Sequence, residues 1–121
     1  MSNNLAVVIL TFNEELNLPK CLESIKGLNA IVFIVDSFST DRTEQIARDY
    51  GSKFIANKFE THTKQWKFAL TQLPEDVDWV LGLDADQTIT SELNVELIEL
   101  FSSKEEITTS GFYIRRRNYF I

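Results

Sequence analysis

One cysteine, Cys21, stands in a chain of 121 residues, so no intramolecular disulfide can form. Leu18, Leu22 and Ile25 flank it at helical spacing, so Cys21 reads as core packing rather than as a catalyst. No run approaches about 18 apolar residues, so nothing reads as a membrane span. The opening Met1-Ser-Asn-Asn lacks a basic stretch followed by a long apolar one, so no signal peptide is expected. Basic residues are outnumbered, 12 Lys and Arg against 18 Asp and Glu, for a net charge of −6. That balance argues against nucleic acid as the main partner, because phosphate backbones want a basic face. Arg115-Arg116-Arg117 is the local exception and reads as a solvated strand end. There is no Gly-x-Gly-x-x-Gly and no P-loop, which excludes a standard dinucleotide or Walker site. Repeats, low-complexity tracts and linkers are also missing. His62 is the one histidine, and it reads as a surface or loop-capping residue.

What the chain does have is a core. Its 44% hydrophobic and 12% aromatic content suits one folded domain over residues 1–121, expected to be cytoplasmic. Leu5 to Thr11 is short, continuous and β-branched, as a strand buried on both faces should be. Leu18, Cys21, Leu22 and Ile25 then predict a helix capped by Asn17, with Pro19 in its first turn and Gly27 at its end. Ala30 to Val35 is a second strand, ending at Asp36. Asp41 and Glu44 suggest an acidic capping box for a helix with Ile46, Ala47 and Tyr50 inward and Gly51 at its end. Lys53 to Ala56 is a short third strand. Thr63 to Leu73 predicts a helix burying Trp66, Ala69, Leu70 and Leu73, stopped by Pro74. Trp79 to Leu83 is a fourth strand, followed by a helix marked by Leu93, Leu97, Leu100 and Phe101 and capped by Thr90 or Ser91. Alternation over Gly111 to Arg117 predicts a fifth strand. The resulting β-α-β-α-β-α-β-α-β order predicts an α/β fold, a mostly parallel doubly wound sheet between helix layers.

Polar residues fall at the carboxyl ends of three of these strands. They are Thr11-Phe12-Asn13, then Asp36, then Asp84-Ala85-Asp86. Ligands of open α/β sheets bind at that edge, where the strand order reverses. A first strand lying between the second and fourth would bring the three clusters together. If the strand runs on through Asp86, the two aspartates face the same side. At about 6 Å apart they repel by roughly 3 kcal/mol at an effective dielectric of about 20. A divalent cation relieves such repulsion, and Mg²⁺ favours one or two carboxylates plus phosphate oxygens.

Three segments in register resemble the family 2 glycosyltransferases of GT-A fold. They are Ile9-Leu-Thr-Phe-Asn-Glu-Glu, Val35-Asp-Ser-Phe-Ser-Thr-Asp-Arg-Thr and Leu83-Asp-Ala-Asp. Within that family, Thr63-Lys-Gln-Trp-Lys-Phe-Ala-Leu and Arg116-Arg117-Asn118 are similar to segments of bacterial enzymes that add a sugar to lipopolysaccharide core. The resemblance implies an inverting transfer from a nucleotide-diphosphate sugar, UDP-linked, to a saccharide or lipid-linked acceptor at the inner face of the bacterial inner membrane. It implies that Thr11, Phe12, Asn13 and Glu14 lie around the base and phosphates and that Asp36 and Ser37 meet the base. Lys64 and Lys67 would help to hold the donor. Asp84 and Ala85 would border the ribose, and Asp86 with Asp84 would ligate Mg²⁺ or Mn²⁺. The family usually carries glycine where Phe38 stands, an acid where Gln87 stands and a basic residue where Trp66 stands. The chain corresponds to the family's N-terminal half, so the acceptor site and catalytic base are expected beyond residue 121. Apolar surface at Phe112, Tyr113, Tyr119 and Phe120 predicts self-association.

Three rival readings exist, the first being a non-catalytic fragment that binds nucleotide. Asp84-Ala-Asp-Gln-Thr88 fits the nucleophile motif of haloacid-dehalogenase-like phosphatases. Glu14-Glu15 after the first strand mimics a receiver-like acidic pair.

Overall fold

The computed structural model describes residues 4–102. The predicted fifth strand, the arginine run and the aromatic cluster at 112–120 lie outside the described residues. Four parallel strands alternate with four helices: β1 Leu5–Thr11, α1 Leu18–Ser24, β2 Ile31–Asp36, α2 Thr43–Asp49, β3 Lys53–Ala56, α3 His62–Thr71, β4 Trp79–Asp84 and α4 Ser91–Ser102. The sheet order is β3-β2-β1-β4, so β1 lies between β2 and β4 as the polar strand ends required.

Strand alternation divides the core into two layers. Leu5, Val7 and Ile9 of β1 face one side, where they meet Leu18, Cys21 and Leu22 of α1, Ala47 of α2 and Leu97 of α4. Ala6 and Val8 face the other side and pack with Phe33, Val35 and Ala69 of α3. Burial on both faces explains why β1 reads as an unbroken apolar run. Small residues make the α3 side close: a methyl group at Gly82 of β4 would lie 2.5 Å from the Trp66 indole. Trp66 thus occupies the space over β4 that glycine leaves open.

Several local expectations are corrected. Asn17 precedes α1 but caps nothing with its side chain, because its amide donates to the Glu14 carboxylate at 3.1 Å. Arg42, not Asp41, sits at the N-cap of α2, and Glu44 turns to Arg48 at 2.9 Å instead of reaching back. Tyr50 is exposed, since α2 ends at Asp49 before the ring can turn inward. Helix α3 begins earlier than expected, at His62, because the Thr61 hydroxyl caps it by accepting from the Lys64 N–H. Its Trp66, Ala69 and Leu73 pack on the core as expected, but Gln65 is buried beside them and Leu70 is 51% exposed. Gly27 and Gly51 follow α1 and α2 with φ of 99° and 79°, the left-handed turn that glycine takes without strain.

Candidate donor-binding site

The order 3-2-1-4 places the topological switch between β1 and β4. Register puts Thr11 beside Asp36, and Leu10 beside Asp84. The ends of β1, β2 and β4 therefore meet at one rim. A cavity of about 530 Å³ opens there. Leu10 and Thr11 of β1 line it, followed by Phe12, Ser37 and Phe38 from the loops. Lys58, Phe59, His62 and Gln65 close it from the β3–α3 side, and Asp84 from β4.

Asp36 is 2% exposed and stands behind this lining. Its Oδ1 accepts from the Thr11 hydroxyl at 2.5 Å and the Ser39 hydroxyl at 2.6 Å. Its Oδ2 accepts from the Ser39 N–H at 2.7 Å. Three hydrogen bonds to one carboxylate hold a buried charge that would otherwise be costly. The same loop is pinned to the end of β1 by Asn13. Its N–H donates to the Ser39 hydroxyl at 2.7 Å, and its side-chain carbonyl accepts from the Thr40 N–H at 2.8 Å. A second latch follows. Asp41 accepts from the Glu15 N–H at 3.1 Å and from the Thr43 hydroxyl at 2.5 Å, while the Glu14 N–H donates to Thr43 at 2.9 Å. Asn13 and Glu14 thus tie the two loops together and do not line the cavity.

These ties hold Phe38 at φ 61°. The loop keeps the left-handed backbone that suits glycine, although a phenylalanine occupies it. That conformation costs an L-residue about 1–2 kcal/mol.

The end of β4 is built differently. The strand stops at Asp84, and Ala85 and Asp86 form a turn rather than continuing extended. Gln87 causes the stop: its N–H donates to the Asp84 carbonyl, and its side-chain oxygen accepts from the Asp84 N–H, each at 2.9 Å. Ala85 is wholly buried in the core, and Asp86 is exposed and outside the cavity lining. The strand-alternation argument for the two aspartates therefore fails, yet their charges still act on each other. Burial raises the Asp84 carboxyl above its ordinary value, His62 opposes that, and Asp86 adds to it. Beneath them lies Cys21, pushed up to about 12 by burial and then by the charges of Asp86, Glu14 and Asp84. Glu14 follows the carboxyl end of β1, and Asp84 and Asp86 lie at the carboxyl end of the parallel β4, so the three acids share one end of the sheet.

His62 is closer to this chemistry than a loop cap would be. Its Nε2 lies 3.5 Å from Asp84 Oδ1 and accepts from the Trp66 indole N–H at 3.2 Å. Lys64 and Lys67 are exposed on α3; Lys64 is 3.6 Å from Glu60, and Lys58 lines the cavity in their stead. Gln65 is 1% exposed. Its amide nitrogen donates to the Asn57 carbonyl at 3.2 Å and the Ser37 hydroxyl at 3.3 Å, and its oxygen accepts from Asn57 at 2.9 Å. A polar residue four positions before the small Ala69 was the available signal for this buried face.

Among the described residues, no group of three or more His, Cys, Asp and Glu side chains forms a metal cage. A diphosphate-bridging cation needs only one or two carboxylates, the rest of its shell being phosphate and water. Asp84, half-buried beside a second acid and with its proton held too tightly, fits that need.

Comparison with known proteins agrees with this geometry. The family model described as "Glycosyl transferase family 2" matches residues 6–120. The chain belongs to glycosyltransferase family 2. It is 33% identical over 111 residues to an uncharacterized glycosyltransferase of Rickettsia typhi, covering 92% of this chain and 37% of that protein. It is 34% identical over 122 residues to the lipopolysaccharide core biosynthesis glycosyltransferase LpsC of Rhizobium meliloti, covering 97% of this chain and 43% of that protein. The chain thus spans about two-fifths of the length of such relatives. Staphylococcus aureus TarS 1-349, solved in complex with UDP-GlcNAc, superposes with a TM-score of 0.60 at 27% identity over 77% of this chain and 29% of that one. Glucosyl-3-phosphoglycerate synthase of Mycobacterium tuberculosis, at 20% identity and a TM-score of 0.65 over 84% of this chain and 41% of that one, shares the fold. The family 2 fold with its parallel sheet is therefore GT-A, and the phosphatase and receiver-like readings are set aside.

Proposed function

We propose that this chain is the nucleotide-sugar-binding part of an inverting glycosyltransferase that serves bacterial envelope polysaccharide or lipopolysaccharide synthesis. The donor is a UDP-sugar, and the acceptor is a hydroxyl of a saccharide or lipid-linked saccharide. The observation that carries this reading is that Asp84 of β4 and Thr11 and Ser37 from the ends of β1 and β2 line one cavity at the topological switch. The likeness to LpsC and to TarS supports the substrate class.

Thr11, Phe12 and Ser37 receive the base, with Asp36 behind them as the fixed acceptor for a base N–H. Asp84 meets the ribose or shares with Asp86 a divalent cation, Mg²⁺ or Mn²⁺. Such a cation, when bound, supplies charge neutralisation to the departing diphosphate. Lys58 adds positive charge to the same rim. His62 stands beside Asp84 with its Nε2 taken by the Trp66 indole N–H, and the acceptor's base is assigned to residues beyond 121. The work is done at the cytoplasmic face of the membrane; among the described residues no helix is long and apolar enough to cross it. Calorimetric titration with UDP and Mn²⁺ tests the reading. Metal-dependent heat that disappears in Asp86→Ala is expected. Equal UDP binding with and without the metal, or none at all, contradicts it.

A further inference from the structure

Phe38 opposes two ordinary preferences at once. Its backbone is left-handed, at φ 61°, where L side chains other than Asn and Asp are rare. Its ring is 61% exposed, where burial would stabilise it. A glycine at this position would close the same loop with neither cost. The surrounding hydrogen bonds, from Ser39 to Asp36 and from Asn13 to Ser39, hold the loop in place despite the strain. Strain retained at a cavity points to a use for the side chain that carries it.

The ring lines the cavity together with Phe12 and Phe59, which are 57% and 51% exposed. Among the described residues none of these three phenyl rings stacks on another aromatic ring, and each residue is more than half exposed. Beside them is a hydroxyl that donates to no other group among the described residues. The Ser37 hydroxyl accepts from the Gln65 amide, which leaves its own hydrogen to point at a ligand acceptor. A flat ring with a polar edge matches phenyl faces beside such a hydroxyl. A lipid chain has no use for Ser37, Gln65 and Asp84 in one cavity, and a bare diphosphate has none for three phenyl rings.

We propose that Phe38 is a base-stacking residue: its strained loop presents the phenyl face against which the pyrimidine of the nucleotide packs. This rests on the donor-binding reading above and adds to it a specific contact at the position where family members usually carry glycine. The test compares Phe38→Gly and Phe38→Tyr with the unaltered chain, using UDP and inorganic diphosphate as ligands, each with Mn²⁺. In Phe38→Gly, UDP affinity falls about tenfold, the scale of one lost base–aromatic stack. Its diphosphate affinity stays level, and its melting temperature is unchanged or higher. Phe38→Tyr keeps UDP affinity. Undiminished UDP binding by Phe38→Gly overturns the inference and leaves the donor reading standing. So does an equal loss of UDP and diphosphate, which marks Phe38 as a shaper of the loop. An unaltered chain that binds no UDP overturns the donor reading and this inference with it.

Discussion

Asp36 and Asp84 end neighbouring parts of one sheet edge, yet the protein treats them in opposite ways. Asp36 is buried, with Oδ1 taken by the Thr11 and Ser39 hydroxyls and Oδ2 held by the Ser39 N–H alone. Asp84 is half-buried with a carboxyl raised by that burial, a histidine at 3.5 Å and a second acid nearby. One carboxylate has satisfied its charge inside the fold, and the other has not. The first organises the loops that shape the cavity. The second is left for a ligand to complete, so the site's rigid half and its reactive half lie on opposite sides of β1.

The contrast breaks most sharply at Asp36. Asp36→Ala strands the Thr11 hydroxyl and the Ser39 N–H and lets the Phe38 loop go, so it should cost about 3 kcal/mol in urea unfolding. A loss near zero would mean that the carboxylate organises nothing.

Asp84 should respond with the opposite sign. Its folded-state proton affinity exceeds that of the unfolded chain, whose carboxyl titrates near 3.8. The folded state therefore binds the proton more tightly, and this stabilisation is present below 3.8 and lost as pH rises through the folded value. At neutral pH the ionised group weakens the fold. Asp84→Asn should raise the melting temperature in neutral buffer. That gain should vanish below pH 3.8, while metal-dependent UDP binding is lost at neutral pH. A variant that is less stable at neutral pH would place Asp84 with Asp36 among the structural acids.

The strands and the sites of the three polar clusters were legible in the sequence, because β1, buried along nearly its whole length, and β4, buried at alternate residues, both read as apolar runs that end abruptly in polar residues. The face of α3 was legible only in part: Trp66, Ala69 and Leu73 pack on the core as hydrophobicity predicts, but Leu70 is exposed and Gln65 is inside, where its side chain has three partners in Ser37 and Asn57. The place of His62 was not legible because it depends on Asp84, which is 22 residues away in the chain yet 3.5 Å away in space. Phe38 is the clearest case. Its left-handed angle follows from bonds of the neighbouring Ser39 to Asp36 and to the distant Asn13, which no local pattern shows.

The smallest effect expected is on Cys21. Wholly buried and with a thiol pushed up to about 12, it should resist alkylation in neutral buffer and react fully once denaturant opens the fold. Rapid labelling of the native chain would mean that the floor beneath Glu14, Asp84 and Asp86 is open.

The central claim is spatial: the ends of β1, β2 and β4 serve one ligand. Amide NMR spectra recorded with UDP and a trace of paramagnetic Mn²⁺ read it directly. Broadening is predicted at Phe12, Ser37 and Asp84–Gln87 together, with Leu5, Ile31 and Trp79 at the far ends of the same strands left sharp. Broadening confined to outlying acids such as Glu75, Asp76 and Asp78, or spread evenly over the sheet, would contradict the account.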